Sequence, residues 1–525
     1  MAPKDTSRQS AVARLIQIVG AEHVLTEESD RAFFAHDVYR MKATPLAVVR
    51  TGSVDELCRA VTAATSEGIA IVPRGGGASY TDGYAAATDQ SILIDTTRLN
   101  RIEINETDMY VTAECGVTWA ELDAALAAKG LRTPFWGPFS GLKATIGGAM
   151  SQGSVSFGSG LFGISADSVL GMDIVLADGS LLRTGSAAAI NGTPFFRHYG
   201  PDLSALFTGD AGALGIKARI TLRLMKRNPI VMSASYGFAD FYGMARALET
   251  VAKEGVNSES FGLNPLLQKA WLGRTNLKQS LDAALAVFKN SRNPIEGLMK
   301  LTRMAIAGKS FLDRAEYSAH FIVEGIDNAH ARSLLAAVRT AADPHGVEVP
   351  NTIPTVVRGM PFMPLFPILG PAGERWVPLH GIMPFSQVDT FHRLLMEQQS
   401  RYADRMAANK ITHAAMFTTI STHAFLYEPV FYWQDSRHIY HNRYLPEDFL
   451  KTVPVYAENP RGRELVEEMR EDIRNIFQSI GAVHMQVGKC YPYMKGRDAT
   501  NAGILKQIKQ ILDESNLMNP GSLEL

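Results

Sequence analysis

The chain has 525 residues, with 52 basic and 53 acidic side chains and a formal net charge of −1. This length allows two large domains with separate cores, and the balanced charge excludes a strongly basic nucleic-acid surface. The three cysteines are too scattered for a disulfide framework or a metal site. The N-terminus lacks an apolar segment and no run of about eighteen apolar residues occurs, so we expect a cytoplasmic protein without an integral membrane segment.

The N-terminal part of the chain alternates helix and strand signals. A helical pattern over residues 10–35 precedes an apolar strand at Leu46–Arg50. Ser53 and Glu56 form a capping box for the next helix, which leads to the strand Ile69–Val72. This order predicts a strand–helix–strand unit with parallel strands.

The composition of the sequence changes twice further along the chain. Glycines and short strands follow a second capping box, Thr118 with Glu121, and thin out after about Met232. Helices are predicted near 238–254, 328–342, 388–407 and 461–480, with strands near 319–324, 377–383 and 415–420. We therefore predict an α+β fold with a first domain over 1–228 (core about 42–226), a cap domain with an antiparallel sheet over 229–481, and a return of 482–525 to the first domain.

A glycine-dense turn, residues 73–83, directly follows the predicted strand Ile69–Val72. Residues without a Cβ let successive backbone N–H groups converge on an anion, so the turn predicts a pyrophosphate cradle. It is not a P-loop, because the terminal Gly-Lys-Ser/Thr is missing. It is not a dinucleotide fingerprint either, since the β-like run Ser91–Asp95 follows it instead of a helix.

Three further glycine segments follow in a fixed order, at 145–153, 162–167 and 206–216, and Met518–Gly521 stands near the C-terminus. Together with the cradle, this set resembles the FAD-binding domain of the vanillyl-alcohol oxidase and p-cresol methylhydroxylase family. The resemblance is good over about 46–225, moderate at the C-terminus and poor in the middle. It implies FAD as the cofactor, bound by Arg74, Gly75, Gly76, Gly77, Ala78, Ser79, Thr145, Gly147, Gly148, Ser151, Gly153, Gly163, Ile164, Gly215, Ile216 and Asn519.

His380 lies in a strand-like run bounded by prolines, Trp376–Pro384. A similar run in the vanillyl-alcohol oxidase branch carries the histidine bonded to the flavin, so the resemblance implies covalent attachment through His380. Relatives that attach flavin through the cradle place histidine where this chain has Ala78. The alternative is a core histidine that bonds a backbone carbonyl.

Five residues are candidates for catalysis, with His484 first as the proton acceptor, because histidine titrates near neutral pH. His423 belongs to an aromatic-rich strand pattern whose alternative interpretation is a sheet core. The remaining candidates are Tyr493, Tyr80 and Lys489.

The substrate pocket departs from the family pattern. Met485 and Gln486 stand where phenol-oxidising relatives place a tyrosine–arginine pair for a phenolate, and Phe139 stands where an aspartate lies near flavin N5. The histidine-rich metal signature of glycolate and D-lactate dehydrogenases is also missing, so we predict no metal site. Arg437, His438, His441 and Arg443 are expected to form a solvated loop, with a gate for an acidic substrate as the alternative.

The resemblance implies an oxidase or dehydrogenase that transfers hydride from an aromatic alcohol or para-substituted phenol to flavin N5. A 2-hydroxy acid dehydrogenase is the alternative, and a redox-neutral lyase or transferase is a third possibility. The partners expected are a small-molecule substrate and either dioxygen or an electron-carrier protein, with a homodimer left open and no nucleic acid.

Overall fold

The N-terminal half contains two main sheets and one short two-stranded sheet. The computed structural model describes residues 3–268 and 315–525, with side chains from residue 9. The strands are β1 Val24–Leu25, β2 Ala47–Arg50, β3 Ala70–Arg74, β4 Ser91–Asp95, β5 Ile102–Asn105, β6 Tyr110–Glu114, β7 Leu131–Arg132, β8 Val169–Val175, β9 Leu181–Arg183, β10 Ile216–Arg223, β11 Met225–Lys226, β12 Ile230–Phe238, β13 Glu259–Leu263, β14 Tyr317–Gly325, β15 Val347–Val349, β16 Arg375–Pro378, β17 Gly381–Met383, β18 Ile411–Ile420 and β19 Ala424–Trp433. The helices are α1 Pro3–Val19, α2 Glu28–Ala35, α3 Val54–Thr65, α4 Trp119–Ala127, α5 Ile146–Gln152, α6 Ser159–Phe162, α7 Leu203–Leu206, α8 Phe241–Glu254, α9 Asn328–Ala342, α10 Thr352–Gly359, α11 Val388–Ala408, α12 Ile439–Tyr444, α13 Glu447–Leu450, α14 Pro460–Ser479 and α15 Ala499–Leu512.

The first sheet has the strand order β1-β2-β4-β3. Ser53 caps α3 by accepting the N–H of Glu56 at 3.1 Å, as its position predicts. The strands β2 and β3 are parallel, but β4 lies between them and pairs with both. The cradle therefore leaves the sheet at the carboxyl end of β3, the edge where parallel sheets bind ligands.

The second sheet is antiparallel, with the order β5-β6-β10-β8-β9. The capping box at the start of α4 is present, with the Glu121 N–H bonded to Thr118 Oγ1 at 3.2 Å and the Thr118 N–H bonded to Glu121 Oε2 at 2.9 Å. The predicted helix over 10–35 is instead two helices, α1 and α2, because Gly20 with φ +90° ends the first.

A larger antiparallel sheet dominates the second half, with the order β15-β12-β14-β13-β18-β19-β16 and β17 on β19. Helices α8, α9 and α11 pack their apolar sides on it, as the predicted α+β fold requires. The run predicted as a strand over 377–383 is two short strands, and Leu379 and His380 lie at the break. Residues 269–314 of the predicted cap lie outside the described residues.

The C-terminal segment packs against the first sheet. The Ile71 N–H donates to the Leu517 carbonyl and the Asn519 N–H to the Ile71 carbonyl, both at 2.7 Å. This contact sets Asn519 beside the base of the cradle.

Candidate functional site

A groove opens where the cradle meets the N-terminus of α5 and the loop before β10. Its lining contains most of the residues expected to bind the cofactor, namely Arg74, Gly75, Gly76, Gly77, Ala78, Ser79, Thr145, Gly147, Gly148, Ser151, Gly153, Gly215 and Ile216. Residues that the sequence did not single out complete it, including Thr96, Cys115, Ser140, Ser154, Lys217 and Gln486.

The backbone of the cradle is suited to an anion. Within the described residues, the N–H groups of Gly75 to Ser79 have no protein acceptor. Tyr84 and Tyr440 both donate to the Gly77 carbonyl, at 2.7 and 2.5 Å, and so fix the orientation of the peptide that follows it. Five consecutive donors beside a helix N-terminus match the pyrophosphate of FAD.

The glycines of the cradle are needed for packing on the protein itself. A Cβ at Gly76 would collide with the Lys143 carbonyl, and one at Gly75 with Thr145 Oγ1. The sequence analysis explained the missing Cβ atoms only by the convergence of backbone N–H groups on an anion. In the structure the loop before α5 occupies the space beside Gly75 and Gly76, so the glycines hold the cradle against that loop.

Three of the expected cofactor residues, Gly163, Ile164 and Asn519, are absent from the lining of the groove. Asn519 Nδ2 donates to the carbonyls of Gly83 and Ala211, which clamps the cradle to the loop before β10. Gly163, with φ +78°, ends α6, and the Ile164 N–H bonds Asp167. The hydrogen bonds of Asn519 and Ile164 thus join segments of the protein to one another.

A second cavity, of about 240 Å³, continues from the groove toward the large sheet. Ala78, Ser140, Ser154 and Gln486 line both spaces. Its walls are largely apolar and aromatic: Phe139, Met363, Leu365, Ile368, Trp376, Met416, Val430, Tyr432 and Met485. Behind it lies a smaller chamber that shares Phe139, Val155, Met416, Glu428 and Met485 with it.

Glu428 is the titratable carboxyl on the wall that both chambers share. It lies on β19, and no other described side chain forms a hydrogen bond or ion pair with it. Burial raises the pKa of Glu428 to about 8, because desolvation penalises the charged carboxylate. A carboxyl with a pKa this near neutral, in a cavity, is a candidate proton acceptor.

Tyr80 is the predicted catalytic residue that reaches the cavity. Its hydroxyl lies 2.5 Å from His380 Nε2, and its ring meets Trp376 edge-on. His380 is fully buried behind Tyr80, and its Nδ1 has no hydrogen-bond partner within the described part of the chain. Among the ring nitrogens of His380, Nδ1 is thus the one without a hydrogen bond, and His380 is absent from the linings of the groove and of both chambers.

The remaining catalytic candidates lie outside the linings of both chambers. His484 stacks on Tyr491, its Nδ1 donates to the His380 carbonyl at 2.6 Å, and burial lowers its pKa to about 4. His423 is exposed in the turn between β18 and β19 instead of on the strand. Lys489 Nζ bonds the Ala85 carbonyl and Asn519, and Arg497 stacks on Tyr493.

The basic cluster after β19 is not a solvated loop. His438 stacks between His36 and His441, with ring centroids 4.1 and 4.0 Å apart, and His441 is fully buried. The helix α12 places these rings against α2, where Arg443 also bonds Asp30. The sequence interpretation failed here because this packing depends on two distant segments.

Glu428, Trp376 and Met416 are cavity residues that sequence reasoning did not assign as functional, whereas the resemblance predicts Phe139 in the substrate pocket. A single carboxyl within the otherwise apolar run Phe425–Trp433 was the available signal for Glu428. Among the described residues, no group of three or more His, Cys, Asp or Glu side chains is placed to hold a metal. No described helix has the length and apolarity needed to cross a bilayer.

Comparisons with known proteins agree with this geometry. Residues 45–185 match the family model described as FAD binding domain. The chain is 32% identical over 233 residues to the uncharacterized FAD-linked oxidoreductase YgcU of Escherichia coli K12, a match that covers 42% of this chain and 46% of that protein. It is 30% identical over 229 residues to the glycolate oxidase subunit GlcD of Bacillus subtilis, covering 43% of this chain and 46% of that protein.

These matches span about half the length of the curated relatives. Among solved structures, p-cresol methylhydroxylase with bound substrate aligns over 99% of this chain and 97% of its own, with a TM-score of 0.73 and 15% identity. The cradle, the groove and the family match agree on the cofactor, and the alignment extends the fold to the cap. Residues 45–185 therefore form an FAD-binding domain, and the chain has the two-domain fold of p-cresol methylhydroxylase.

Proposed function

We propose that the protein is an FAD-dependent oxidoreductase that oxidises an alcohol or benzylic carbon of an aromatic compound. The observation that carries this proposal is the continuity of the FAD groove with an aromatic cavity that contains Glu428, a carboxyl without a hydrogen-bond or ion-pair partner among the described residues. Bound FAD supplies the hydride acceptor, and the protein has to position the substrate and remove its proton.

Different cavity residues position the substrate and remove its proton. Phe139, Trp376 and Tyr432 provide flat apolar walls for a substrate ring. Ionised Glu428 accepts the substrate hydroxyl proton, for which a pKa of about 8 suits a base working near neutral pH. Gln486 and Ser140 line both the groove and the cavity, and they orient polar groups at the junction.

A 2-hydroxy acid is the second candidate substrate, because the relative GlcD is a glycolate oxidase subunit by name. The carboxylate of such a substrate needs a cationic partner. None of the described residues that line the second cavity, the one of about 240 Å³, is Lys, Arg or His. These electrostatics favour the aromatic alcohol or phenol.

Anaerobic mixing of the holoenzyme with aromatic alcohols, para-substituted phenols and 2-hydroxy acids tests the proposal. We expect stoichiometric bleaching of the flavin by an aromatic alcohol or a para-substituted phenol. The flavin should be reoxidised when dioxygen is admitted, or when a redox dye is added as a substitute for an electron-carrier protein. Bleaching by glycolate or D-lactate alone would contradict the substrate assignment. Turnover without any lasting bleaching would indicate redox-neutral chemistry instead.

A further inference from the structure

Helix α12 carries a histidine on each side of the tyrosine that supports the cradle. His438 precedes the helix as its N-cap, and His441 directly follows Tyr440. Tyr440 donates to the Gly77 carbonyl at 2.5 Å, and its ring stacks on Phe33 of α2. A displacement of α12 therefore moves a support of the cofactor cradle.

Three stacked histidine rings form a contact between α12 and the end of α2. The His438 ring lies between those of His36 and His441, at interplanar angles of 24° and 33°. His441 is fully buried, whereas His36 and His438 are partly exposed. No carboxylate of the described residues forms an ion pair with any of the three rings. The stack therefore packs as neutral rings, without a counter-charge for an imidazolium.

The charged groups on the neighbouring elements do not supply that counter-charge. Arg375 of β16 and Arg437 of the loop before α12 are cations, and both lower the pKa of His441. The nearby carboxylates are engaged elsewhere: Asp30 with Arg443, Asp435 with Arg463, and Asp37 with the N–H groups of Tyr39, Arg40 and Asp82. The donors to Asp37 lie outside α12, so its titration does not depend on whether α12 is docked.

Proton uptake by the rings is linked to the position of α12. Burial lowers the pKa of His36 to about 4 and the pKa of His438 and His441 well below the usual range, and Arg375 adds to the effect at each ring. Rings released into water return to a pKa of about 6.5. Below that pH the displaced state binds more protons, and each ring favours it by up to about tenfold per pH unit. Docking of α12 is thus stable at neutral pH and weakens in acid.

We propose that the stack of His36, His438 and His441 is a pH-sensitive latch, which holds α12 on the cradle at neutral pH and opens in weak acid. Opening withdraws Tyr440 from the Gly77 carbonyl and weakens the binding of FAD. The three histidines are absent from the linings of the groove and of both chambers, so the latch controls cofactor retention and is separate from the substrate chemistry proposed above.

Amide hydrogen exchange of the holoenzyme at pH 7.5 and pH 5.5, corrected for the intrinsic effect of pH on exchange, tests the opening of the latch. We expect protection over Ile439–Tyr444 to fall by about tenfold for each ring that takes up a proton. Protection of α14, Pro460–Ser479, should stay unchanged. This measurement depends neither on a substrate nor on whether the flavin is covalently bound.

Two variants assign the effect to the stack. His438→Phe keeps a stacked ring that cannot take up a proton, so the loss of protection should be about tenfold smaller than in the parent. His392→Phe is the matched control, because His392 is also buried and stacks on Phe241 in the core of the cap, with ring centroids 3.7 Å apart. It should follow the parent.

A second measurement tests the link to the cofactor. The Kd for FAD of deflavinated protein should rise by about tenfold from pH 7.5 to pH 5.5, as for a lost hydrogen bond to the Gly77 carbonyl. Tyr440→Phe, which lacks this bond at both pH values, should show a much smaller rise. If the flavin is covalently bound, the visible circular dichroism of the flavin replaces the Kd.

The outcomes distinguish a latch from acid unfolding. Unchanged protection of α12 at pH 5.5 would overturn the proposal, and so would an equal loss of protection in α12 and α14. Opening of α12 without any effect on the flavin would refute the control of cofactor retention. If His438→Phe does not fold, the comparison of α12 with α14 in the parent decides. Substrate bleaching at neutral pH tests the proposed function independently of all these results.

Discussion

Single residues on the cavity wall set the chemistry that this fold can perform. Glu428 is a carboxyl without a partner among the described residues, on a strand whose other cavity-facing side chains are Val430 and Tyr432. A desolvated carboxyl without a partner destabilises a protein when it ionises, so its presence in this wall makes Glu428 a candidate functional residue.

Glu428→Gln should remove the base without changing the shape of the cavity. We expect flavin reduction by the best substrate to fall by roughly 100- to 10,000-fold, with FAD content unchanged. The parent rate should rise with pH up to about 8, where Glu428 becomes ionised, and the variant should lose that rise. Stopped-flow reduction measures both effects. Glu447→Gln, an exposed change on α13, is the control, and a variant rate close to the parent rate would rule out Glu428.

The same residue predicts how stability depends on pH. Because the pKa of Glu428 is raised in the folded state, the folded protein retains a proton that the unfolded chain releases above about pH 4.5. Stability is therefore lost as the pH rises toward 8. Glu428→Gln should be more stable than the parent at pH 9, on the order of 2 kcal/mol after allowance for partial exposure, and similar at pH 4.5. Urea denaturation at both pH values checks this expectation.

Covalent attachment of FAD through His380 stays a prediction, with Nδ1 as the ring nitrogen that has no hydrogen bond among the described residues. Acid precipitation of the parent protein should leave the yellow colour in the pellet, and His380→Ala should release it. Colour in the parent supernatant would show that the flavin is not covalently bound, and the hydrogen bond to Tyr80 would then be the role left for His380.

At the scale of elements, the cap helix α12 supports the cradle of the other half. Tyr440 reaches from α12 to the Gly77 carbonyl, and its ring stacks on Phe33 of α2. The cradle thus depends on a helix that is distant in the sequence, since 363 residues separate Tyr440 from Gly77. FAD affinity should therefore respond to changes in the cap.

Tyr440→Phe tests this dependence. Loss of one buried hydrogen bond to the Gly77 carbonyl, which Tyr84 still holds, should raise the Kd for FAD by about tenfold. The measurement is fluorescence titration of deflavinated protein, or FAD retention after dialysis if the flavin is noncovalent. Tyr236→Phe, which removes a tyrosine hydrogen bond to Asp343 within the cap, should leave the Kd unchanged. Equal losses in both variants would indicate a general loss of stability.

Sequence patterns predicted what is local and missed what is assembled from distant segments. The caps of α3 and α4, the cradle and the ends of α9 follow from short-range signals. The cavity was predicted only in part. The resemblance placed Phe139, Met485 and Gln486 in the substrate pocket, and these residues line the cavity. Trp376 and Glu428 were missed, because only the folded cap brings their segments to the same wall. The His36–His438–His441 stack was missed for the same reason.

At the scale of the whole molecule, the histidines determine how the protein responds to acid. Burial lowers the pKa of eight of the thirteen histidines, namely His36, His320, His380, His392, His413, His438, His441 and His484. Five buried carboxyls with raised pKa values, Asp37, Asp123, Asp210, Glu259 and Glu428, act in the opposite direction. The histidines are the larger group, so unfolding takes up protons on balance below about pH 6.5.

Stability should therefore fall as the pH drops from 7 toward 5. The unfolded histidines bind protons from about pH 6.5 downward, whereas the folded rings stay neutral until a lower pH, to about 4 for His36. We expect the apparent Tm to fall by roughly 5 °C or more between pH 7 and pH 5. His438→Phe preserves the stacking between His36 and His441 while removing one titrating ring, so its fall should be smaller. His198→Gln, an exposed change with 70% of the side chain accessible, should follow the parent. A Tm that stays constant from pH 7 to pH 5 would mean that the buried rings take up protons without loss of structure, contrary to the burial that lowers their pKa values.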